Sequence, residues 1–454
     1  MNFDFELFSI SHALKEHPVI VEDISYRIKY LNILEYFVNK YSIENEFALE
    51  VLKNYKNIFL GDSIDKYKYS DEELKKLFKG AIGRKLRGFK LFTYRYAFIY
   101  DCLFMNAFLD MKKAGVILDD IKSIYKKRYH VNFDLLFEIL YKEREFINRL
   151  DNIKYLIKCW KSNKEHLSKK QIKVLITANM SAGKSTLINT IVGKRINRTM
   201  NDACTSKVHY IYDKAFEDNF NYKIDGKLTL DADEKELLNN NDDNKDSKIF
   251  MSTYFNLFNQ RKESKVCIID TPGVNSSLNM DHTKITEEII LNEAYNKILY
   301  IVNATQSGTD DDFKYLKFIC ENVEHSKIIF VLNKLDKFRV SDDSIDESIE
   351  KLKEQLLNIG FKKPIICPVS AYAGGLAKKK MYEYELTEDE EDDFMILNMK
   401  FKNNNYNLSK FYPENIVDKI KNNYENTDKA SFTNMLMNCG TLCLEEIMLE
   451  GAED

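Results

Sequence analysis

Residues Ala178-Asn179-Met180-Ser181-Ala182-Gly183-Lys184-Ser185 fit the phosphate-loop spacing G-x-x-x-x-G-K-[ST] at every position but the first. Successive backbone N–H groups in such a loop make an anion nest, and the helix that follows adds the positive end of its dipole. Asn179, Met180, Ser181, Ala182, Gly183 and Thr186 would line the phosphates, Lys184 would reach the β- and γ-phosphates, and the Ser185 hydroxyl would ligate Mg²⁺. Ala178 stands where the pattern has Gly; a small residue still permits the turn if φ stays negative, so the loop reads as modified and not as dead.

Three further motifs each end an apolar run. Val266 to Ile269 leads into Asp270-Thr271-Pro272-Gly273, which suits a carboxylate in the Mg²⁺ shell and a Gly whose N–H meets the γ-phosphate. Lys327 to Leu332 leads into Asn333-Lys334-Leu335-Asp336, an N-K-x-D whose Asp carboxylate would accept from the ring N1–H and exocyclic amine of guanine. Adenine offers no such donor pair, and a site built on hydrogen bonds rejects an analogue lacking them. Ile365 to Val369 leads into Ser370-Ala371-Tyr372, placed to back the base. The expected nucleotides are therefore GTP and GDP. Between the phosphate loop and Asp270, Thr205 is the candidate to complete the Mg²⁺ shell, ahead of Thr199; Thr190 reads as a helix residue. The expected metal ligands are thus Ser185, Thr205 and Asp270.

These residues need strands that deliver them to one sheet edge, with helices between. The fold expected is α/β, a P-loop GTPase domain with a mostly parallel sheet, plus an N-terminal all-α domain. The boundary falls near 165, giving a helical bundle over 1–165 and the GTPase domain with closing helices over 166–454.

N-M-S-A-G-K-S-T, the C-T before a strand, D-T-P-G-V, N-K-L-D and P-V-S-A together resemble the dynamin superfamily, particularly its bacterial members. The 65 residues from Thr205 to Asp270 (270 − 205) match its expanded GTPase domain, as does Asn303-Ala304-Thr305-Gln306-Ser307-Gly308 after a strand. The resemblance spans roughly 172–449. It implies that Ser181 helps hold K⁺ or Na⁺ that stands in for an arginine finger, with Lys184, Thr205 and Gly273 completing the catalytic set. Val274 and Asn275 follow the D-T-P-G, so no Gln positions water there; Thr205 is the candidate through its backbone. It also implies GTPase-domain dimerisation across the nucleotides. In the family a long stalk follows a segment like Cys439 to Glu445, whereas five residues follow Leu449 here, so the rest of a stalk is expected from a partner chain or the N-terminal helices.

The chain has 454 residues, 44% hydrophobic, with only 5 Pro and 15 Gly, which suggests two helix-rich domains with few linkers. Among the 8 Cys, Cys102, Cys159, Cys267, Cys320 and Cys367 lie in apolar runs and read as buried thiols of a cytosolic protein. No apolar run reaches the about 18 residues a membrane span needs, so a cytoplasmic location, or a peripheral one at the inner membrane face, is expected.

Over 1–165, apolar residues recur at three and four, as at Ile28, Leu31, Leu34, Phe37 and Val38, with turns at Gly61-Asp62-Ser63 and Lys113-Ala114-Gly115. Residues 1–170 hold 31 Lys/Arg against 24 Asp/Glu, net +7, so the remainder, 36 against 47, is −11. The excess lies in Leu74 to Tyr100, which is basic, aromatic and free of acids. It reads as an anionic-membrane patch, a nucleic-acid patch, or a bundle helix whose basic side is solvated or paired with the acidic tract Glu383 to Asp393. Of the two patches, nucleic acid is the weaker reading. The aromatic load of Tyr94 to Phe108 predicts an exposed apolar interface. Asn240 to Asp246 reads as a disordered loop, Lys378 to Asp393 as a charged excursion, and Phe432 to Leu449 as one closing helix. Two function classes stay open. One is a dynamin-like GTPase acting at membranes, alone or with a second dynamin-like chain. The other is a soluble GTP-dependent switch or scaffold that recruits a protein through its helical domain.

Overall fold

Alternating apolar runs and capped amphipathic segments sort the chain into strands and helices in the computed structural model. It describes residues 5–61, 94–146, 148–178, 181–197, 207–239, 248–256, 264–273, 280–306, 310–339, 344–424 and 430–450. Its strands are β1 (Lys170–Ala178), β2 (Val208–Asp213), β3 (Tyr222–Ile224), β4 (Leu228–Thr229), β5 (Lys248–Thr253), β6 (Ser264–Asp270), β7 (Lys297–Asn303), β8 (Ile328–Asn333) and β9 (Ile365–Pro368). The chain forms two compact units, one of residues 1–168 with 214–232, the other of 169–213 with 233–454. Residues 214–232, which the sequence placed with the GTPase region, thus pack with the helices.

The first unit carries helices Ile24–Ser42, Glu46–Leu60, Arg95–Ala107, Met111–Ile124, His130–Tyr141 and Lys154–Ser168. Asp23, Asn45 and Asp110 cap three of them by accepting from the N–H three residues on. Because Asp110 starts its helix, Lys113-Ala114-Gly115 is helical and not the turn the sequence suggested. The helix Arg95–Ala107 is buried from Tyr96 onward, and Phe108 is buried as well, so Tyr94 to Phe108 presents no apolar interface. Its aromatics turn inward onto Trp160, whose ring lies 4.6 Å from Phe108 and 5.5 Å from Tyr100. In the same core the buried Asp101 accepts from Tyr55 at 2.9 Å, from Tyr30, and meets His17 Nε2 at 3.1 Å. A buried carboxylate is tolerable only with such partners.

The antiparallel β3–β4 ribbon belongs to this unit. Tyr222 donates to the Ile10 carbonyl at 2.7 Å, Ser11 to that of Phe216 at 2.6 Å, and Asn54 to that of Leu230 at 3.0 Å. Lys214 and Asp218 form a buried pair at 2.6 Å, and Asp218 also accepts the His12 N–H at 2.7 Å.

In the second unit the strand order is β5-β2-β6-β1-β7-β8-β9, parallel throughout except between β2 and β6. β1 lies between β6 and β7, fully buried from Val174 to Ala178, as a strand covered on both faces should be. Parallel register, with Ile176 opposite Asp270 and Asn303 opposite Asn333, brings the ends of β1, β6, β7 and β8 to one edge. Ligands of open α/β sheets bind at that edge.

The closing segment departs from expectation at Gly440. It forms two helices, Ala430–Asn438 and Thr441–Leu449, because Gly440 sits at φ +77° with its Cα against the Pro368 carbonyl; a Cβ there would come within 2.1 Å of that oxygen. Lys378 is likewise no part of a solvated excursion. It is buried in the helix Ala371–Met381 and pairs with buried Glu445 at 2.6 Å. Three acids of the tract have local partners: Glu390 pairs with Lys379, Glu391 with Lys380, and Asp393 accepts from Tyr372. The basic stretch lies outside the described residues up to Thr93; within them, Arg95 stacks on Tyr96 and Tyr129. Asn240 to Asp246 also lies outside them. Cys102, Cys159, Cys267 and Cys367 are buried, as the apolar runs indicated, but Cys320 is half-exposed. Among the described residues no helix is long and apolar enough to cross a membrane.

Candidate functional site

The phosphate loop leaves the end of β1. Ala178 is fully buried and pairs in register with Ile301 of β7, so it lies in extended backbone, where a methyl group costs nothing. The missing first Gly is thereby explained. Ser181 is exposed in the left-handed region at φ +61°, and Gly183 at φ +89° turns the chain into the helix Lys184–Val192. A Cβ on Gly183 would lie 2.5 Å from the Asn333 amide nitrogen, so only Gly fits. Asn179, Met180 and Thr205 lie outside the described residues, as do Thr199, Val274 and Asn275. Thr190 lies on the helix, as expected, donating to the Ala371 carbonyl at 2.7 Å.

Lys184 and Asp270 form an ion pair with the Asp fully buried. The other Asp270 oxygen accepts from the Asn197 amide at 2.7 Å. Asn189, on the same helix as Lys184, accepts from the N–H groups of Ile196 and Asn197 at 3.0 and 2.9 Å and donates to the Asn197 carbonyl at 2.9 Å. Asn189 and Asn197 therefore aim the carboxylate of Asp270. Ser185 and Thr186 are half-buried on the first turn of that helix, and Gly273 is half-buried three residues after Asp270.

Asn333 is almost wholly buried and works as a staple between loops. Its amide donates to the Ala182 carbonyl at 3.0 Å, and its oxygen accepts the Ala371 N–H at 3.0 Å. Lys334 takes left-handed backbone, φ +71°, and burial together with the nearby Lys337 pulls its amine below the usual lysine range. The half-buried Asp336 accepts from Ser370 Oγ at 2.8 Å, while that same oxygen caps the helix Ala371–Met381. One carboxylate oxygen of Asp336 is thus fixed by Ser370.

The donor set fits a nucleoside triphosphate with Mg²⁺. A hard cation takes oxygen ligands, and Ser185 with Asp270 supplies a hydroxyl and a carboxylate beside a lysine and a helix N-terminus. The described motif residues stand after strand ends, where the sequence placed them, whereas Asn189 and Asn197 were missed. For these there was no signal, since their partners lie 60 or more residues away or in an unmarked turn.

Residues 174–335 match the dynamin family. An uncharacterised protein from Caldicellulosiruptor sp. (strain Rt8B.4) is 26% identical over 276 residues, 58% of this chain, and the chain spans 62% of that relative. GTPase Der of Ureaplasma parvum serovar 3 is 37% identical over 71 residues, 15% of this chain and 16% of its own length. Among solved structures, an oligomerised bacterial dynamin pair, described as a mechanism for long-range sensing and tethering of membranes, matches at 18% identity over 94% of this chain and 64% of its own, with a TM-score of 0.36. Era in complex with MgGDPNP and a 16S ribosomal RNA segment matches at 20% identity over 45% of this chain and 52% of its own, with a TM-score of 0.29.

Proposed function

We propose that the chain, whose residues 174–335 match the dynamin family, is a GTPase that binds GTP with Mg²⁺ at the sheet edge just described and hydrolyses it. The observation that carries this reading is that Asp336, held by Ser370, is stapled through Asn333 to the loop bearing Lys184. Asp336 would accept from the ring N1–H and exocyclic amine of guanine, with Ser370 and Ala371 backing the base. Lys184 and the first-turn N–H groups would hold the β- and γ-phosphates. Ser185, Asp270 and Thr205 would hold Mg²⁺, which when bound neutralises charge on the phosphate oxygens. Gly273 would offer its N–H to the γ-phosphate. Ser181, exposed and left-handed in the loop, would help hold a K⁺ or Na⁺.

Turnover would rise when two GTPase domains pair across their nucleotides, and the protein would act at a membrane, peripherally from the cytoplasm, alone or with a second dynamin-like chain. A soluble switch that recruits a protein through the helical unit is the second reading. The burial of Tyr96 to Phe108 makes those aromatics core, so neither reading draws its partner surface from them. Titration with GTP and ATP tests the site; tight ATP binding would end the reading. Co-sedimentation with anionic liposomes, with and without a nonhydrolysable GTP analogue, separates membrane action from the switch.

A further inference from the structure

The helix Glu388–Lys402 has no counterpart in the motif set, yet it is tied down along its length. Thr387 and Glu390 form a capping box at its start. Glu390 pairs with Lys379 at 2.6 Å, Glu391 pairs with Lys380, and Asp393 accepts from Tyr372 at 2.5 Å. All three partners sit on the helix that begins at Ser370. At the far end Lys400 reaches the turn that carries Asp336. Its ammonium donates to the main-chain carbonyls of Asp336 and of Phe338, the latter at 2.6 Å, and lies 4.5 Å from the centre of the Tyr406 ring.

We propose that Lys400 is a positioning residue for base specificity, setting the direction of the Asp336 carboxylate by clamping the backbone of its turn. The proposal rests on the guanine reading of Asp336. Three restraints then act on one turn: Ser370 on a carboxylate oxygen of Asp336, Lys400 on the carbonyl of Asp336 itself, and Lys400 again on the Phe338 carbonyl two residues on. The turn Leu335–Lys337 is a short 3-10 segment entered from left-handed Lys334, a geometry with little stiffness of its own. A charge-assisted bond is stronger than a neutral one, so the lysine supplies what the turn lacks.

Bidentate recognition is where such aiming matters. Guanine presents two donors to a carboxylate, whereas hypoxanthine, lacking the exocyclic amine, presents one. A carboxylate swung off axis keeps one bond and loses the pair, so affinity for guanine falls more than affinity for hypoxanthine.

The test is calorimetric titration of the full-length protein and its Lys400→Met and Lys400→Arg variants with GDP and with IDP. Lys400→Met is expected to bind GDP about tenfold more weakly while IDP affinity changes less, so the GDP-to-IDP preference shrinks. Lys400→Arg, which can still donate to two carbonyls, is expected to restore the preference. If Lys400→Met remains folded by circular dichroism and loses GDP and IDP affinity by the same factor, or loses neither, the proposal is overturned. Equal loss would make Lys400 a structural brace with no part in base choice. Wild-type protein that prefers IDP or ATP to GDP would instead sink the guanine reading itself, and that arm is read before the variants are compared.

Discussion

Asn333→Ala asks whether the phosphate loop and the base-backing loop are one mechanical piece. The amide is 2% exposed, and its two hydrogen bonds, each 3.0 Å, are made to main-chain groups at Ala182 and Ala371. Truncation leaves a carbonyl and an N–H without partners in a site that closes tightly around them; Gly183 lies so near that a Cβ would be 2.5 Å from the lost nitrogen. Each orphaned buried group costs roughly 1–3 kcal/mol. With water relieving part of this, the nucleotide-free protein should lose about 2–4 kcal/mol of stability, a large share of a typical total of about 5–15. Urea denaturation followed by circular dichroism, without nucleotide, measures the loss. The Ala371 amide should also exchange faster with solvent, by about thirtyfold for 2 kcal/mol. Asn333→Asp is the sharper control. It keeps an acceptor for Ala371 but sets a carboxylate against the Ala182 carbonyl, so it should fall at least as far. The reasoning fails if Asn333→Ala abolishes GDP binding while nucleotide-free stability moves by less than about 0.5 kcal/mol. Asn333 would then act on the base and not as a staple.

Four further outcomes are expected. Asp336→Asn should weaken GTP by several kcal/mol and bind xanthine nucleotides better, since an amide can donate to the 2-oxo group that replaces the guanine amine; competition titration checks it. Lys184→Ala should abolish nucleotide binding and also cost about 3–5 kcal/mol of stability, because among the described residues it leaves a fully buried Asp270 with Asn197 as its remaining side-chain partner; urea midpoints measured without nucleotide decide the second part. Ser181→Ala should leave binding intact and remove most hydrolysis, and wild-type turnover should fall when K⁺ and Na⁺ are replaced by a bulky organic cation; steady-state phosphate release indifferent to that swap points to a protein-supplied finger. His12→Phe should flatten the acid limb of stability. Burial, and then Lys214, hold His12 well below its ordinary value of 6.5, so below that pH the unfolded chain takes up a proton that the folded chain refuses. Stability therefore falls as pH drops from 6.5, by up to about 1.4 kcal/mol per pH unit for this one group, and is retained above it. Trp160, the single tryptophan and buried in the helical unit, reports the urea midpoint at about pH 5.5 and about pH 7.5.

What could be read from the sequence was chemistry bound to position along the chain. Lys184, Asp270, Asn333 and Asp336 each follow a run of β-branched and apolar residues, and in a parallel sheet every such run ends at the same edge. The helical spacing of Ile28 to Val38 works in the same local way. What could not be read depended on which distant surfaces meet. The aromatics of Tyr96 to Phe108 have the composition of an interface, yet Trp160, on another helix, packs against Tyr100, Phe104 and Phe108, and Tyr141 donates to the Ala107 carbonyl. The acids of Glu388 to Asp393 have the composition of a partner surface for the basic stretch, yet Lys379 and Lys380 lie within reach.

The same distinction explains why the residues that aim the site carry no sequence signal while those proposed to touch ligand do. A ligand-contacting residue is constrained by the ligand, whose shape is common to every protein that binds it, so its spacing recurs. A residue that aims another is constrained only by the local path of this chain. Asn197 donates to Asp270 across 73 residues, and Lys400 donates to the Asp336 carbonyl across 64. Either job could be done by any donor that arrives at the right carbonyl or carboxylate. The type is therefore free and the spacing is set by the fold. Asn197 makes this testable: Asn197→Ser, with a shorter donor, should leave Asp270 less firmly aimed and weaken Mg²⁺-dependent GDP binding while sparing Mg²⁺-free binding. If both fall equally, Asn197 acts on the loop and not on the carboxylate.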